Sequence, residues 1–130
     1  MTPQSDNRNA AALTLPRNKR LRKTREFQRC FAAWRAGDGH LLLFAAKNED
    51  EAVRLGVSVS KKHGNAVARN RRKRLLREAW RTSQHELPTG FDYVMVPRQH
   101  SDSSLQDYQK SVRELAQKIL RKHRKSKDDC

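Results

Sequence analysis

An α+β domain, one small sheet covered by helices, is the fold predicted for this chain of 130 residues. Three observations carry the prediction. Val53 to Ser60 alternates apolar and polar residues with a period of two, as a strand with one face on a core does. Gly64 to Arg81 and Leu105 to Leu120 repeat their apolar residues at three and four, as amphipathic helices do. The two kinds of segment follow one another as helix, strand, strand, helix, strand, helix, with no internal repeat and no interdomain linker.

Each element has its own signal. Residues 1–16 mix Asn, Ser, Gln and Ala without a period and read as a disordered arm. A basic run from Arg17 to Lys23 leads to Thr24, a plausible N-cap. Phe27, Cys30, Phe31 and Trp34 then mark one face of a short helix that Gly37 ends. The apolar run from His40 to Lys47, with LLLFAA at its centre, reads as a buried strand, and Asn48 to Glu51 as the hairpin turn into Val53–Ser60. There Val53, Leu55, Val57 and Val59 face the core, and Ser58 faces the other way. Asn65 is the expected cap of the long helix. Phe91 to Val96 is a further strand stopped by Pro97, and Ser101–Ser104 open the last helix. The domain is expected over residues 17–122, with residues 123–130 as a basic polar tail.

Charge narrows the function. There are 29 Lys and Arg against 14 Asp and Glu, a formal net charge of +15. Twenty-four of those cations lie in three blocks, Arg17–Arg29, Lys61–Arg81 and Lys110–Lys127. Clustering of this kind favours a polyanionic partner over a merely solvated surface, which would interleave the two signs. On a helical wheel Asn70, Lys73, Arg74, Arg77 and Arg81 oppose Ala68, Leu75, Leu76, Ala79 and Trp80. Glu78 is the one acid in that series. No apolar run approaches the roughly 18 residues that span a bilayer, and Met1 to Ala12 has no apolar signal core. The expectation is a cytoplasmic protein with no membrane partner. Cys30 and Cys130 suggest no disulfide framework, and no CxxC or HxxxH spacing points to zinc.

Arg54 to Trp80, RLGVSVSKKHGNAVARNRRKRLLREAW, closely resembles the protein subunit of bacterial ribonuclease P. The strand, the SKK, the Gly-Asn-Ala turn and the series from Arg69-Asn70-Arg71 to Glu78 carry the resemblance. Arg22 to Phe31 is similar to that family's first helix and Phe91 to Arg98 to its last strand, so the likeness covers roughly residues 17–122. It implies a two-layer α/β sandwich with a small, mostly antiparallel, four-stranded sheet. It also implies a left-handed βαβ crossover, the ribosomal protein S5 domain 2-like architecture, against the usual right-handed rule. The residues alone point to only three strands.

The same resemblance assigns roles. Lys61, Lys62, Arg69, Asn70, Arg71, Lys73, Arg74, Arg77 and Arg81 would contact the catalytic RNA, since guanidinium forks and ammonium groups both grip phosphate. Arg20, Arg22, Lys23 and Arg25 would be auxiliary contacts. Asn70 can touch RNA or a hydrated metal ion, or simply occupy the helix surface; no firm metal site is implied. Phe27, Phe31, Phe44 and Ser58 would line a cleft for the single-stranded 5′ leader of precursor tRNA, where bases stack on rings with little sequence preference. For the two helical phenylalanines a core role stays open. Phe44 stands where relatives often have tyrosine. Arg72 falls on the apolar arc, where its stem can snorkel. Trp34 and Cys30 read as packing.

No Ser–His, His–carboxylate or paired-carboxylate arrangement stands out as a catalytic site. This agrees with the family, whose RNA performs the endonucleolytic cleavage with Mg2+. One protein per RNA is expected. The alternative is a non-catalytic, ribosomal-protein-like structural RNA binder of similar basicity.

Overall fold

The computed structural model describes residues 19–49, 52–99 and 102–128. The expected arm, Arg17 and Cys130 lie outside them.

One helix and three strands open the described chain. Helix α1 spans Thr24–Ala32 and is followed by β1 (Trp34–Gly37), β2 (Leu41–Lys47) and β3 (Val53–Val57). Lys23, not Thr24, is the N-cap of α1. Glu26 does the capping from the third turn position: its Oε1 accepts from the backbone N–H groups of Arg22 and Lys23, at 3.1 and 3.0 Å. The helix stops at Ala32, because Ala33 turns out of helical geometry (φ −98°, ψ −107°). Trp34 therefore does not extend the helical face of Phe27 and Phe31. It opens a short edge strand, the fourth one, and packs on the opposite side of the sheet. Asp38 closes the β1–β2 turn, its Oδ1 accepting from His40 N (2.8 Å) and Leu41 N (2.9 Å).

Helix α2 covers Ala66–Ser83, β4 covers Phe91–Pro97 and α3 covers Leu105–Asp128. Asn65 caps α2 as expected, its Oδ1 accepting from Ala68 N at 2.9 Å. Gly64 before it has φ +116°, a conformation that side chains resist. Ser104 and Asp107 cap α3 reciprocally, at 2.8 and 3.2 Å. The helix continues through residues 123–128.

The strand order is β1-β2-β4-β3. β1 pairs antiparallel with β2, β2 antiparallel with β4, and β3 parallel with β4 through the α2 connection. One face carries the main core: Leu41, Leu43, Leu55, Tyr93 and Met95 against Leu76, Ala79 and Trp80 of α2 and Tyr108, Val112, Leu115 and Ile119 of α3. The other face carries a smaller one, in which Cys30 of α1 meets Leu21, Ala46 and Val94. Just before α1, Leu21 N donates to Leu55 O at 2.8 Å, and Arg20 bridges the outer edge of β3. At the far edge, Lys122 Nζ of α3 donates to Arg35 O of β1 at 2.7 Å.

Candidate nucleic-acid interface

The core anchors α2 through Leu76, Ala79 and Trp80, so the arc opposite these residues must face solvent. Asn70, Arg71, Arg74 and Arg77 are exposed there, with Lys73 half-buried at the margin. Among the described residues none of these four cations is paired with a carboxylate. Arg71, Arg74, Arg77 and Arg81 form one wall of an open groove of about 690 Å³. Arg20 reaches it from the strap along β3, and Leu75 floors it. Arg81 differs from the others, being engaged by Glu78, with Nε 3.0 Å from Oε2. The hydrogen bond from Arg81 holds the Glu78 carboxyl below its ordinary pKa, and Glu78 raises that of Arg81. Its charge is thus partly offset by a carboxylate of its own helix.

Two arginines of the basic series sit elsewhere. Arg69 is half-buried on the core side of the wheel, and its Nε lies out of solvent without a hydrogen-bond partner. Arg72 ties α2 to the end of β4, its Nη1 donating to Arg98 O at 2.9 Å and lying 3.5 Å from Tyr108 Oη. Its stem therefore runs along the core edge. Lys61 and Lys62 are exposed on a short 3-10 turn, Lys61–His63. Behind them His63 is buried, its Nδ1 facing Ser60 N (3.0 Å) and its Nε2 facing Pro97 O (2.7 Å). The first accepts and the second donates, which selects the neutral Nε2–H form. Arg22, Lys23 and Arg25 are exposed around the start of α1.

The other face of the sheet carries the aromatics. Phe31 is 43% exposed and meets Phe44 edge-on, with ring centroids 4.8 Å apart. Phe27 packs instead into the smaller core, over Gly56, where a Cβ would fall 2.6 Å from its ring. Ser58, just past β3, is half-buried, and its N–H donates to Met95 O at 3.0 Å. Beside Phe44, Leu42 and Val96 are register partners flooring an open groove of about 830 Å³, with Lys62 and Arg98 on its rim. The structure thus brings Phe31 and Phe44 together, while Phe27 and Phe44 are both partly buried against the smaller core.

The sequence reading missed the charged cluster under α1. Asp92 has no exposed side-chain surface. Its Oδ1 accepts from Arg54 Nε (2.7 Å) and Asn48 Nδ2 (2.9 Å), its Oδ2 from Arg54 Nη2 (2.6 Å) and from Arg29 Nη2. Burial alone would raise its pKa. The hydrogen bonds from Arg54 and Asn48, with the charges of Arg54 and Arg29, outweigh that and hold it below the usual carboxylate range. Glu26 joins through Arg54 Nη1 at 3.3 Å. The available signal was an aspartate inside the apolar run Phe91–Val96, which demands a cationic partner if both strand faces are covered. Nearby, burial pushes the Cys30 thiol up to about 11, leaving it a packing group. Among the described residues no three His, Cys, Asp or Glu side chains gather to hold a metal. No described helix is long and apolar enough to cross a membrane.

The profile of the family described as Ribonuclease P matches residues 15–120. A ribonuclease P protein component from Brevibacillus brevis is 45% identical over 84 residues, spanning 63% of this chain and 67% of that protein. One from Desulfovibrio desulfuricans is 39% identical over 104 residues, spanning 78% of this chain and 80% of its own. The solved RNase P protein of Staphylococcus aureus superposes with a TM-score of 0.67 at 31% identity, over 78% of this chain and 94% of that one. For the Thermotoga maritima protein the values are 0.68, 29%, 77% and 96%.

Proposed function

This chain belongs to the ribonuclease P protein family, and from that premise we propose that it binds the catalytic RNA of a ribonuclease P holoenzyme and the 5′ leader of precursor tRNA, leaving phosphodiester hydrolysis to the RNA. The observation that carries the proposal is the outward set of Arg71, Arg74 and Arg77 on a helix whose opposite arc is locked in the core. A surface of unpaired guanidinium groups repels itself and is relieved by phosphate. Lys61, Lys62, Lys73 and Asn70 extend it. Arg69 and Arg81 are its weaker members, one half-buried and the other engaged by Glu78.

Phe31 and Phe44 offer ring surface to unstacked leader bases, and Lys62 and Arg98 sit at the rim to meet their phosphates. Stacking of this kind accepts many leader sequences. Binding the leader raises affinity for precursor over mature tRNA, which lacks it. Magnesium belongs in this reading to the RNA, whose phosphates supply the hard oxygen ligands it prefers. The working place is the cytoplasm, with one protein per RNA.

Reconstitution tests the reading. The protein is added to a bacterial ribonuclease P RNA at low magnesium, and precursor tRNA cleavage is followed with and without each component. Correct 5′ maturation should require the RNA and be strongly stimulated by the protein. Unstimulated cleavage despite RNA binding would indicate a structural RNA binder instead.

A further inference from the structure

The second half of α3 forms a cationic surface with no part in the site described above. Lys118, Arg121, Lys122, Arg124 and Lys125 are all exposed, and no carboxylate occurs between Glu114 and Asp128. At 1.5 Å per residue these cations fall within about 10 Å of helix. Packing holds them in place. Ile119 is buried in the main core, the His123 ring meets Trp34 and Phe91 at 5.8 and 5.3 Å, and Lys122 Nζ is fixed to Arg35 O. Among the described residues Lys118, Arg121 and Lys125 pair with no carboxylate. This segment is a helical ridge that runs on into residues 123–125, which the sequence places in a basic polar tail.

Its position decides what it can do. α2 and α3 pack against each other, with α2 touching β3 at one end of the sheet and the second half of α3 lying against β1 at the other. Three strand spacings separate those strands, about 14 Å. The Debye length at physiological salt is about 8 Å, so phosphates neutralising one surface leave the other largely unneutralised. We propose that the ridge of Lys118, Arg121 and Lys125 docks a second segment of the same partner RNA, distinct from the segment held by α2. The protein then braces two parts of the RNA across the width of its sheet. This rests on the reading that the partner is ribonuclease P RNA.

The test is a triple variant, Lys118→Gln, Arg121→Gln and Lys125→Gln, in the full chain. All three side chains are exposed, and unchanged thermal melting checks that the fold survives. Binding to ribonuclease P RNA is titrated from 0.1 to 0.5 M KCl. Losing three phosphate contacts should make the slope of log affinity against log salt shallower by about 2–3 and weaken binding at least tenfold at about 0.15 M salt. Combined with Arg74→Ala, the losses should add, as expected for separate surfaces. An unchanged slope overturns the proposal. So does a loss confined to precursor tRNA binding, which would assign the ridge to substrate. If the wild-type protein fails to bind ribonuclease P RNA at all, the functional reading itself fails, which is a separate result.

Discussion

Replacing Asp92 with alanine removes the buried carboxylate shared by two guanidinium groups beneath α1, leaving Arg54 with Glu26 as its remaining acid and Arg29, half exposed, to water. Arg54 loses hydrogen bonds of 2.7 and 2.6 Å, and its side chain is only 23% exposed, so water cannot fully replace them. Breaking one side of a buried pair costs about 3–5 kcal/mol. For a unit of this size 1 kcal/mol shifts the melting temperature by about 4 °C, so the expected loss is about 12–20 °C. Asp92→Asn keeps the shape and should lose less. The pH dependence follows from the depressed pKa values of Asp92 and Glu26, the latter lowered mainly by the backbone N–H of Lys23. A carboxyl whose folded pKa lies below its unfolded one contributes stability that is complete above the unfolded value, near 4. That stability is lost as pH falls through the folded value. The advantage of wild type over Asp92→Asn should therefore shrink below about pH 4. Circular-dichroism melts of the three proteins from pH 7 to 3 measure both effects. An alanine variant melting within about 4 °C of wild type, or a wild-type advantage that does not shrink in acid, would refute the account.

The remaining predictions concern the two faces. Arg74→Ala and Arg77→Ala should each weaken assembly with the RNA and make the salt slope shallower by about one, with melting unchanged; an unaltered slope would move the interface off this arc. Phe31→Ala should weaken precursor binding more than mature tRNA binding, by about 1–3 kcal/mol for a lost stack, and equal losses would return the ring to packing. Gly56→Ala puts a methyl 2.6–2.7 Å from Phe27, and forcing that ring aside should destabilise the fold by about 1–3 kcal/mol in denaturant titration. A neutral result would mean α1 can lift from the sheet without loss.

The parts of the fold that could be read beforehand are those where one period runs long enough to be unambiguous. The wheel of α2 separates Leu76 and Ala79 from Arg74 and Arg77 because eighteen residues keep one phase. β1 was hidden because Trp34 falls seven residues after Phe27, which is also helical spacing, and four residues are too few to show alternation. The pairing of Arg54 with Asp92 spans 38 residues, and only the register of β3 on β4 makes them neighbours. Arg69 and Arg72 look alike in the motif, yet their azimuths place both toward the body of the protein. Composition cannot distinguish them from Arg71 or Arg74. The resemblance named the whole helix, and packing decides which of its arginines reach outward.

Both margins of the sheet are partly covered. Backbone from Arg20 and Leu21 lies along β3, and the Lys122 ammonium occupies a carbonyl of β1. A β-sheet with open margins recruits further strands and grows into aggregates. Here backbone covers part of one margin and an ammonium group takes one carbonyl of the other, and the +15 charge opposes the approach of a second copy. Edge-to-edge pairing of two copies is thereby disfavoured on geometric and electrostatic grounds alike.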